Sequence, residues 1–103
     1  MALFLGIDSG TQSVKAVVYD TESKRVLADG RAPHSMIESL PAGHMEQNPG
    51  EWTEAMDTAI LQAVNQVDRA AIKAIGVSGQ QHGFVALDQS GSVIRPAKLW
   101  CDT

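Results

Sequence analysis

One short turn of the chain collects a carboxylate, hydroxyl groups and a glycine between two apolar runs. The stretch reads LGIDSGTQSVKAVVYD, in which Asp8 ends the first run and small polar residues follow at 9–13. Two chemistries use an aspartate followed by such a loop. One binds phosphate groups with their metal ion, and the other cleaves peptide bonds with a pair of aspartates. A polar turn without chemistry is a third interpretation, because Asp, Ser and Gly are all favoured in turns.

The phosphate interpretation assigns a task to most residues of this turn. Small residues let backbone N–H groups approach phosphate oxygens, and the hydroxyls of Thr11 and Ser13 add donors. Asp8 can hold Mg²⁺ directly or through water, because hard cations prefer oxygen ligands. The turn is not a Walker loop, since no Gly-Lys-Ser/Thr opens a helix here. The predicted phosphate-binding residues are Gly10, Thr11, Gln12, Ser13 and Lys15, and a solvated strand residue is the equal alternative for Lys15.

Apolar runs on both sides of the turn predict the first strands. Alternation and short connections predict an antiparallel meander with strands at 3–8, 13–19 and 25–32. The segment 33–47 carries two prolines and a glycine, and it is predicted as a loop.

A capped amphipathic helix is predicted at 49–67. Asn48 can cap it, Pro49 suits its first position, and Glu51 follows the cap by three residues. Apolar residues recur at three- and four-residue steps, so they form one core-facing stripe, and neither Trp52 nor Met56 receives a functional role. An aspartic protease needs an almost all-β body and a second carboxylate. The predicted helix argues against that class.

The second half of the chain predicts a parallel strand and a hairpin. The run at 71–78 follows a long helix, so we expect it to lie parallel to the first strand. Residues 84–94 predict a hairpin around Asp88 and Gly91. The order strand, strand, strand, helix, strand and then hairpin is typical of a mixed α/β sheet.

Length and composition exclude several classes of protein. The 103 residues allow one domain at most, and 44% hydrophobic and 19% charged residues are typical of an ordinary globular protein. A net charge of -4 argues against nucleic acid as a partner, and no apolar run is long enough for a membrane span. The single Cys101 fits a reducing cytoplasm. The abrupt end after an apolar run, LWCDT, favours the front piece of a longer protein.

Amide and imidazole groups follow the predicted parallel strand. Gln80, Gln81 and His82 come in series beside two glycines, at the strand end where open α/β sheets bind ligands. Such groups can donate to and accept from several sugar hydroxyls. A purely structural histidine is the alternative, and burial is the alternative for Trp100.

The turn and two later motifs together resemble a known family. GIDSGTQSVKAVVYD looks like the first phosphate motif of the actin, Hsp70 and sugar-kinase superfamily. GVSGQQHGFVALD and LWCDT are similar to motifs of the FGGY carbohydrate kinases, and within that family to those of xylulose kinases. Glycerol kinases carry Arg-Glu in place of Gln81-His82, and gluconate kinases lack the Gln-x-His-Gly context. The resemblance covers essentially all 103 residues.

The resemblance implies a ribonuclease H-like mixed sheet, with residues 1–103 forming part of an N-terminal sugar-binding domain. It implies ATP-dependent phosphorylation of D-xylulose to D-xylulose 5-phosphate, with Mg²⁺, in the cytoplasm and in pentose catabolism. Asp8 would position phosphate and metal, and Gln81 and His82 would contact the sugar, although many relatives carry Met at the position of Gln81. Trp100 would form an apolar wall, and Asp102 would accept from a hydroxyl or brace its loop.

The resemblance also places parts of the site outside this chain. The family's catalytic base is an Asp in a later glycine-rich motif, which does not occur here, and its adenosine site lies in a C-terminal lobe. We therefore expect these residues alone to be inactive and to self-associate, and a homo-oligomer is a further expectation. The alternatives are a gluconate, ribulose or glycerol kinase of the same family, and a non-catalytic sugar-binding or assembly module.

Overall fold

Three antiparallel strands and one parallel strand form the main sheet. A computed structural model describes residues 2–80 and 83–102. The elements are β1 (Leu3–Ser9), β2 (Ser13–Asp20), β3 (Arg25–Pro33), β4 (Glu46–Gln47), α1 (Pro49–Val64), a 3₁₀ turn (Arg69–Ala71), β5 (Ile72–Gly79) and β6 (Ala97–Lys98). The main sheet has the order β3-β2-β1-β5. β1 pairs antiparallel with β2 and parallel with β5, so the predicted meander and the predicted parallel strand are both confirmed.

Helix α1 covers one face of this sheet and forms the core with it. Alternate residues of β1 and β2 are buried beneath the helix, as the two-residue period of a strand requires. The two layers come close at Gly30, where an added Cβ would lie 2.1 Å from the carbonyl oxygen of Ala59. The buried apolar residues of this core are Leu3, Leu5, Ile7, Val14, Ala16, Val18, Ala28, Ala32, Ala55, Ala59, Ala63 and Val64.

The helix begins where the sequence predicts and ends earlier. The side chain of Asn48 accepts a hydrogen bond from the backbone N–H of Gly50 over 3.0 Å, which confirms the predicted cap. The helix stops at Val64, three residues before the predicted end. After Val64 the backbone forms tighter turns with i to i+3 hydrogen bonds. In one of them the N–H of Val67 donates to the carbonyl oxygen of Val64. Val67 consequently still packs against the core from outside the helix.

Two short strands correct the predicted loop and hairpin. β4 lies in the segment that was predicted as a loop, and it pairs antiparallel with β6, with Glu46 opposite Lys98. The predicted hairpin is reduced to one bridge between Leu87 and Val93, flanked by a few backbone hydrogen bonds. Both pairings are too short to produce a periodic apolar pattern. The sequence therefore did not predict the pairing of β4 with β6 or the single bridge that replaces the hairpin.

The sheet face opposite α1 is open in the described part of the chain. Phe4 on β1 and Tyr19 on β2 pair with each other and are exposed on this face. Ile75 and Val77 on β5 pair with the buried Leu5 and Ile7, so they lie on the α1 side of the sheet, where they are 62% and 67% exposed. None of the helices within residues 2–80 and 83–102 is both long and apolar enough to cross a membrane.

Candidate functional site

The polar turn between β1 and β2 is closed by its own backbone. The N–H of Gly10 donates to the carbonyl oxygen of Ser13 over 2.9 Å, which leaves residues 10–12 between the strands. Asp8, the next-to-last residue of β1, has an exposed side chain, whereas Ser13 is buried. The carboxylate of Asp8 is therefore accessible to a ligand, and the hydroxyl of Ser13 is much less so.

The strand register places charged side chains in one row across the sheet. Asp8 on β1 is paired with Lys15 on β2, and Lys15 is paired with Arg31 on β3. Directly paired residues point to the same face, which here is the exposed face opposite α1. Arg31 was not predicted as a site residue. It belongs to no motif, and only the register of β3 brings it beside Lys15.

A cleft of 440 Å³ opens beside this row. It is lined by Asp8, residues 10–13, Lys15, Arg31 and Trp100. Trp100 is 58% exposed and comes from the third motif, so the cleft joins the first and third motifs. Its side chains offer a carboxylate oxygen to a hard cation and positive charges to an anion. These residues fit phosphate groups together with Mg²⁺, and Asp8 is the residue that would hold the metal.

The second motif begins beside the end of β1. Ser9 on β1 is opposite Gly79 on the parallel strand β5, and the N–H of Gln80 donates to the carbonyl oxygen of Ser9 over 3.0 Å. The carboxyl ends of two parallel strands therefore meet here, as ligand sites in open α/β sheets require. The next two residues, Gln81 and His82, were predicted to contact a sugar, and they lie outside the described residues.

A buried glutamine that the sequence did not single out joins the first two motifs. Gln47 is fully buried, and its Nε2 donates to the carbonyl oxygen of Thr11 over 2.6 Å. Its Oε1 accepts from Gln80 Nε2 over 3.1 Å and from Trp52 Nε1 over 2.8 Å. Trp52 was assigned to the core alone, and its indole N–H has this additional polar role. An amphipathic stripe predicts packing, but it does not predict where an N–H group on that stripe points.

The third motif contributes a brace. The carboxylate of Asp102 accepts from the backbone N–H of Met45 over 2.9 Å and lies 3.5 Å from Lys98 Nζ. The Met45 N–H and the charge of Lys98 hold the pKa of Asp102 below its ordinary value. Asp102 is not among the described residues that line the cleft. Of the two roles that the sequence left open, this geometry supports the brace.

A second group of potential metal ligands lies next to that brace. Ligand atoms of His44, Glu46 and Asp102 lie within 4.8 Å of one another. However, Glu46 already contacts two cations, Arg95 over 2.7 Å and Lys98 over 3.1 Å. The hydrogen bond from Arg95, followed by that from Lys98, lowers the pKa of Glu46. These two side chains supply the positive charge that a metal ion would bring, so we interpret the group as a structural ion-pair network.

Comparison with known proteins covers nearly the whole chain. The model of the FGGY family of carbohydrate kinases, N-terminal domain, matches residues 3–103. The chain is 42% identical over 107 residues to the xylulose kinase of Haemophilus influenzae, covering 98% of this chain and 22% of that protein. A crystal structure of a xylulose kinase from Brucella ovis superposes with a TM-score of 0.86 at 39% identity, covering 98% of this chain and 21% of that one. A gluconate kinase from Lactobacillus acidophilus superposes with a TM-score of 0.87 at 25% identity, covering 98% and 21%.

These similarities agree with the motifs and with the fold. The chain spans 22% of the length of the Haemophilus influenzae relative, so it corresponds to one part of such a protein. The mixed α/β sheet and its close superposition on sugar kinases confirm the predicted fold, that of ribonuclease H, actin and Hsp70. The match over residues 3–103 establishes that the chain belongs to the FGGY family of carbohydrate kinases.

Proposed function

We propose that the full-length protein carrying this chain transfers the γ-phosphate of ATP to the terminal hydroxyl of D-xylulose. The observation that carries this proposal is the cleft at the end of β1, where Asp8, the polar turn, Lys15 and Trp100 meet. One carboxylate, two cations and an aromatic wall in a single cleft suit a phosphate donor beside an apolar sugar face. The similarity to xylulose kinases supports the choice of sugar.

The phosphate side of this cleft is formed by charged and backbone groups. Mg²⁺ bound with the nucleotide would neutralise phosphate charge. Asp8 is accessible and would hold this ion at the end of β1, while Lys15 would pair with a phosphate oxygen. The backbone of residues 10–12 would approach the phosphates closely, because Gly10 carries no side chain. Electrostatic positioning of this kind provides most of the catalysis of phosphoryl transfer.

The sugar side combines Trp100 with the residues that follow β5. Trp100 is exposed in the cleft and would pack against the carbon skeleton of the sugar. Gln81 and His82 stay the predicted hydroxyl contacts, since they follow Gln80 directly and Gln80 is anchored beside β1. The family resemblance assigns the catalytic base to a later motif, so the residues of this chain would bind and position without abstracting the proton.

A substrate panel on the full-length protein tests this proposal. ADP release is measured with D-xylulose, D-ribulose, gluconate and glycerol at equal concentrations, with and without Mg²⁺. We expect the highest kcat/KM with D-xylulose and no turnover without the metal. Faster turnover of gluconate would instead support the substrate of the Lactobacillus acidophilus neighbour. Binding of D-xylulose without ADP release would support a non-catalytic sugar-binding module.

His82→Ala tests the sugar side of the same site. We expect a higher KM for D-xylulose and a nearly unchanged KM for ATP, because the imidazole would face sugar hydroxyls and not phosphate. Loss of one partner of a buried polar pair costs about 1–3 kcal/mol, which corresponds to a rise in KM of about 5- to 150-fold. The exposed Gln89→Ala serves as the control. An unaltered sugar KM would make His82 a structural residue.

A further inference from the structure

The side-chain amide of Gln47 has only one orientation that satisfies its partners. An indole N–H is a donor only, and Trp52 Nε1 lies 2.8 Å from one end of the amide, so that end is the oxygen Oε1. A backbone carbonyl is an acceptor only, and the oxygen of Thr11 lies 2.6 Å from the other end, which is therefore the nitrogen Nε2. Gln47 thus bridges a fixed donor on α1 and a fixed acceptor in the polar turn.

The same orientation fixes the side chain of Gln80. Because Gln47 Oε1 accepts, the group facing it at 3.1 Å is Gln80 Nε2. The other end of that amide, Gln80 Oε1, then accepts from Thr11 Oγ1 over 3.3 Å. The three residues close a ring of hydrogen bonds in which Thr11 takes part through both its carbonyl and its hydroxyl. The hydroxyl of Thr11, predicted to donate to phosphate, donates to Gln80 within this ring.

We infer that Gln47 is a positioning residue that couples occupancy of the phosphate turn to occupancy of the loop after β5. Gln47 is fully buried and does not line the cleft, so it acts through Thr11 and Gln80. A ligand that holds Thr11 in place also restrains Gln80 through the ring of hydrogen bonds. A ligand that holds Gln80 restrains Thr11 in the same way. Binding of one ligand therefore lowers the conformational entropy cost of binding the other, so each ligand raises the affinity for the other. This inference rests on the proposed function, because it takes nucleotide and sugar as the two ligands.

The change Gln47→Glu tests the ring with almost no change in side-chain shape. It replaces the Nε2 donor with an oxygen that faces the carbonyl oxygen of Thr11. Sugar affinity of the full-length protein is measured by calorimetry with and without a saturating non-hydrolysable ATP analogue and Mg²⁺. We expect the analogue to tighten D-xylulose binding about ten-fold in the wild type. In the Gln47→Glu variant we expect this factor to fall close to one, with smaller changes in affinity for each ligand alone.

Two further variants separate coupling from general damage to the fold. Trp52→Phe removes the donor that orients Gln47 and leaves an aromatic ring on α1, so the coupling factor should also fall. If the Gln47→Glu variant does not fold, the coupling factor of Trp52→Phe alone tests the inference. Gln89→Glu makes the same chemical change at an exposed turn residue and should keep the wild-type factor.

Three results are decisive. A wild-type coupling factor retained in both Gln47→Glu and Trp52→Phe would overturn the inference, and so would independent binding of the two ligands by the wild type. Failure of the wild type to bind either ligand would overturn the proposed function, and the inference with it. These patterns differ, since the first two occur in a protein that binds both ligands.

Discussion

Lys15 and Arg31 lie directly opposite each other on β2 and β3, with both side chains exposed on the same face. Like charges in opposite positions of a sheet destabilise it, so this pair costs stability when the cleft holds no anion. Asp8, opposite Lys15 on its other side, and Asp29, two residues before Arg31 on the same face, offset part of this repulsion. An anion placed between the two cations removes the repulsion, which is the arrangement expected of a phosphate site.

Arg31→Gln should therefore have opposite effects on binding and on stability. We expect the ATP KM to rise about 10- to 150-fold, because hydrogen bonds to charged groups contribute about 1.5–3 kcal/mol. The unfolding midpoint of the protein without ligand should rise slightly as the repulsion disappears. Lys73→Gln removes a positive charge at the start of β5, at the opposite end of the sheet, and should change neither quantity. A variant with the wild-type ATP KM would remove Arg31 from the site.

Gly30→Ala should disrupt the packing of α1 on the sheet. The new Cβ would lie 2.1 Å from the carbonyl oxygen of Ala59 and 2.8 Å from the Cβ of Gln62, and neither can move without shifting the helix. We expect a loss of about 2–3 kcal/mol in the free energy of unfolding. At Gly76 an added Cβ meets no described atom within 4 Å, so Gly76→Ala is the control. Equal unfolding midpoints for the two variants would contradict the close packing at Gly30.

The ion pairs of Glu46 predict a pH-dependent contribution to stability. Arg95 and Lys98 hold the pKa of this carboxyl below its ordinary value. A lowered folded-state pKa stabilises the fold above the unfolded-state pKa, and this stabilisation is lost as the pH falls through the folded-state pKa. Glu46→Gln should thus lower the unfolding midpoint at neutral pH, and the difference should shrink below about pH 4.3. Glu54→Gln on the exposed face of α1 should show no such trend, and a difference for Glu46→Gln that is independent of pH would contradict this interpretation.

Local signals in the sequence predicted most of the main sheet and the helix start. The strands β1 to β3 follow apolar alternation, and the cap at Asn48 depends on neighbouring residues only. The pairing of β4 with β6 depends on a contact between Glu46 and Lys98, which are far apart in sequence. Two-residue strands carry no period, so nothing local identified them. The early helix end at Val64 was hidden because Val67 stays on the core side after the helix stops.

In the candidate site, too, the residues of a local motif were predicted, and those brought in by long-range contacts were not. Asp8, the turn and Lys15 are contiguous in sequence, so a motif could identify them, and they line one cleft. Arg31 enters that cleft through strand register, and Gln47 joins the turn to Gln80 through side-chain geometry. Neither contact can be predicted from the neighbouring residues in the sequence, because each joins residues that are far apart along the chain.

Asp8→Asn in the full-length protein tests the central claim most directly. The claim is that Asp8 acts on phosphate and metal and not on the sugar, so turnover and sugar affinity should separate. We expect kcat for D-xylulose phosphorylation to fall about 100-fold or more, as for loss of a preorganised electrostatic contact, while the dissociation constant of D-xylulose stays near that of the wild type. Asp57→Asn on the exposed face of α1 should leave both quantities unchanged. Near wild-type turnover of Asp8→Asn, or a loss of sugar binding equal to the loss of turnover, would contradict the assignment.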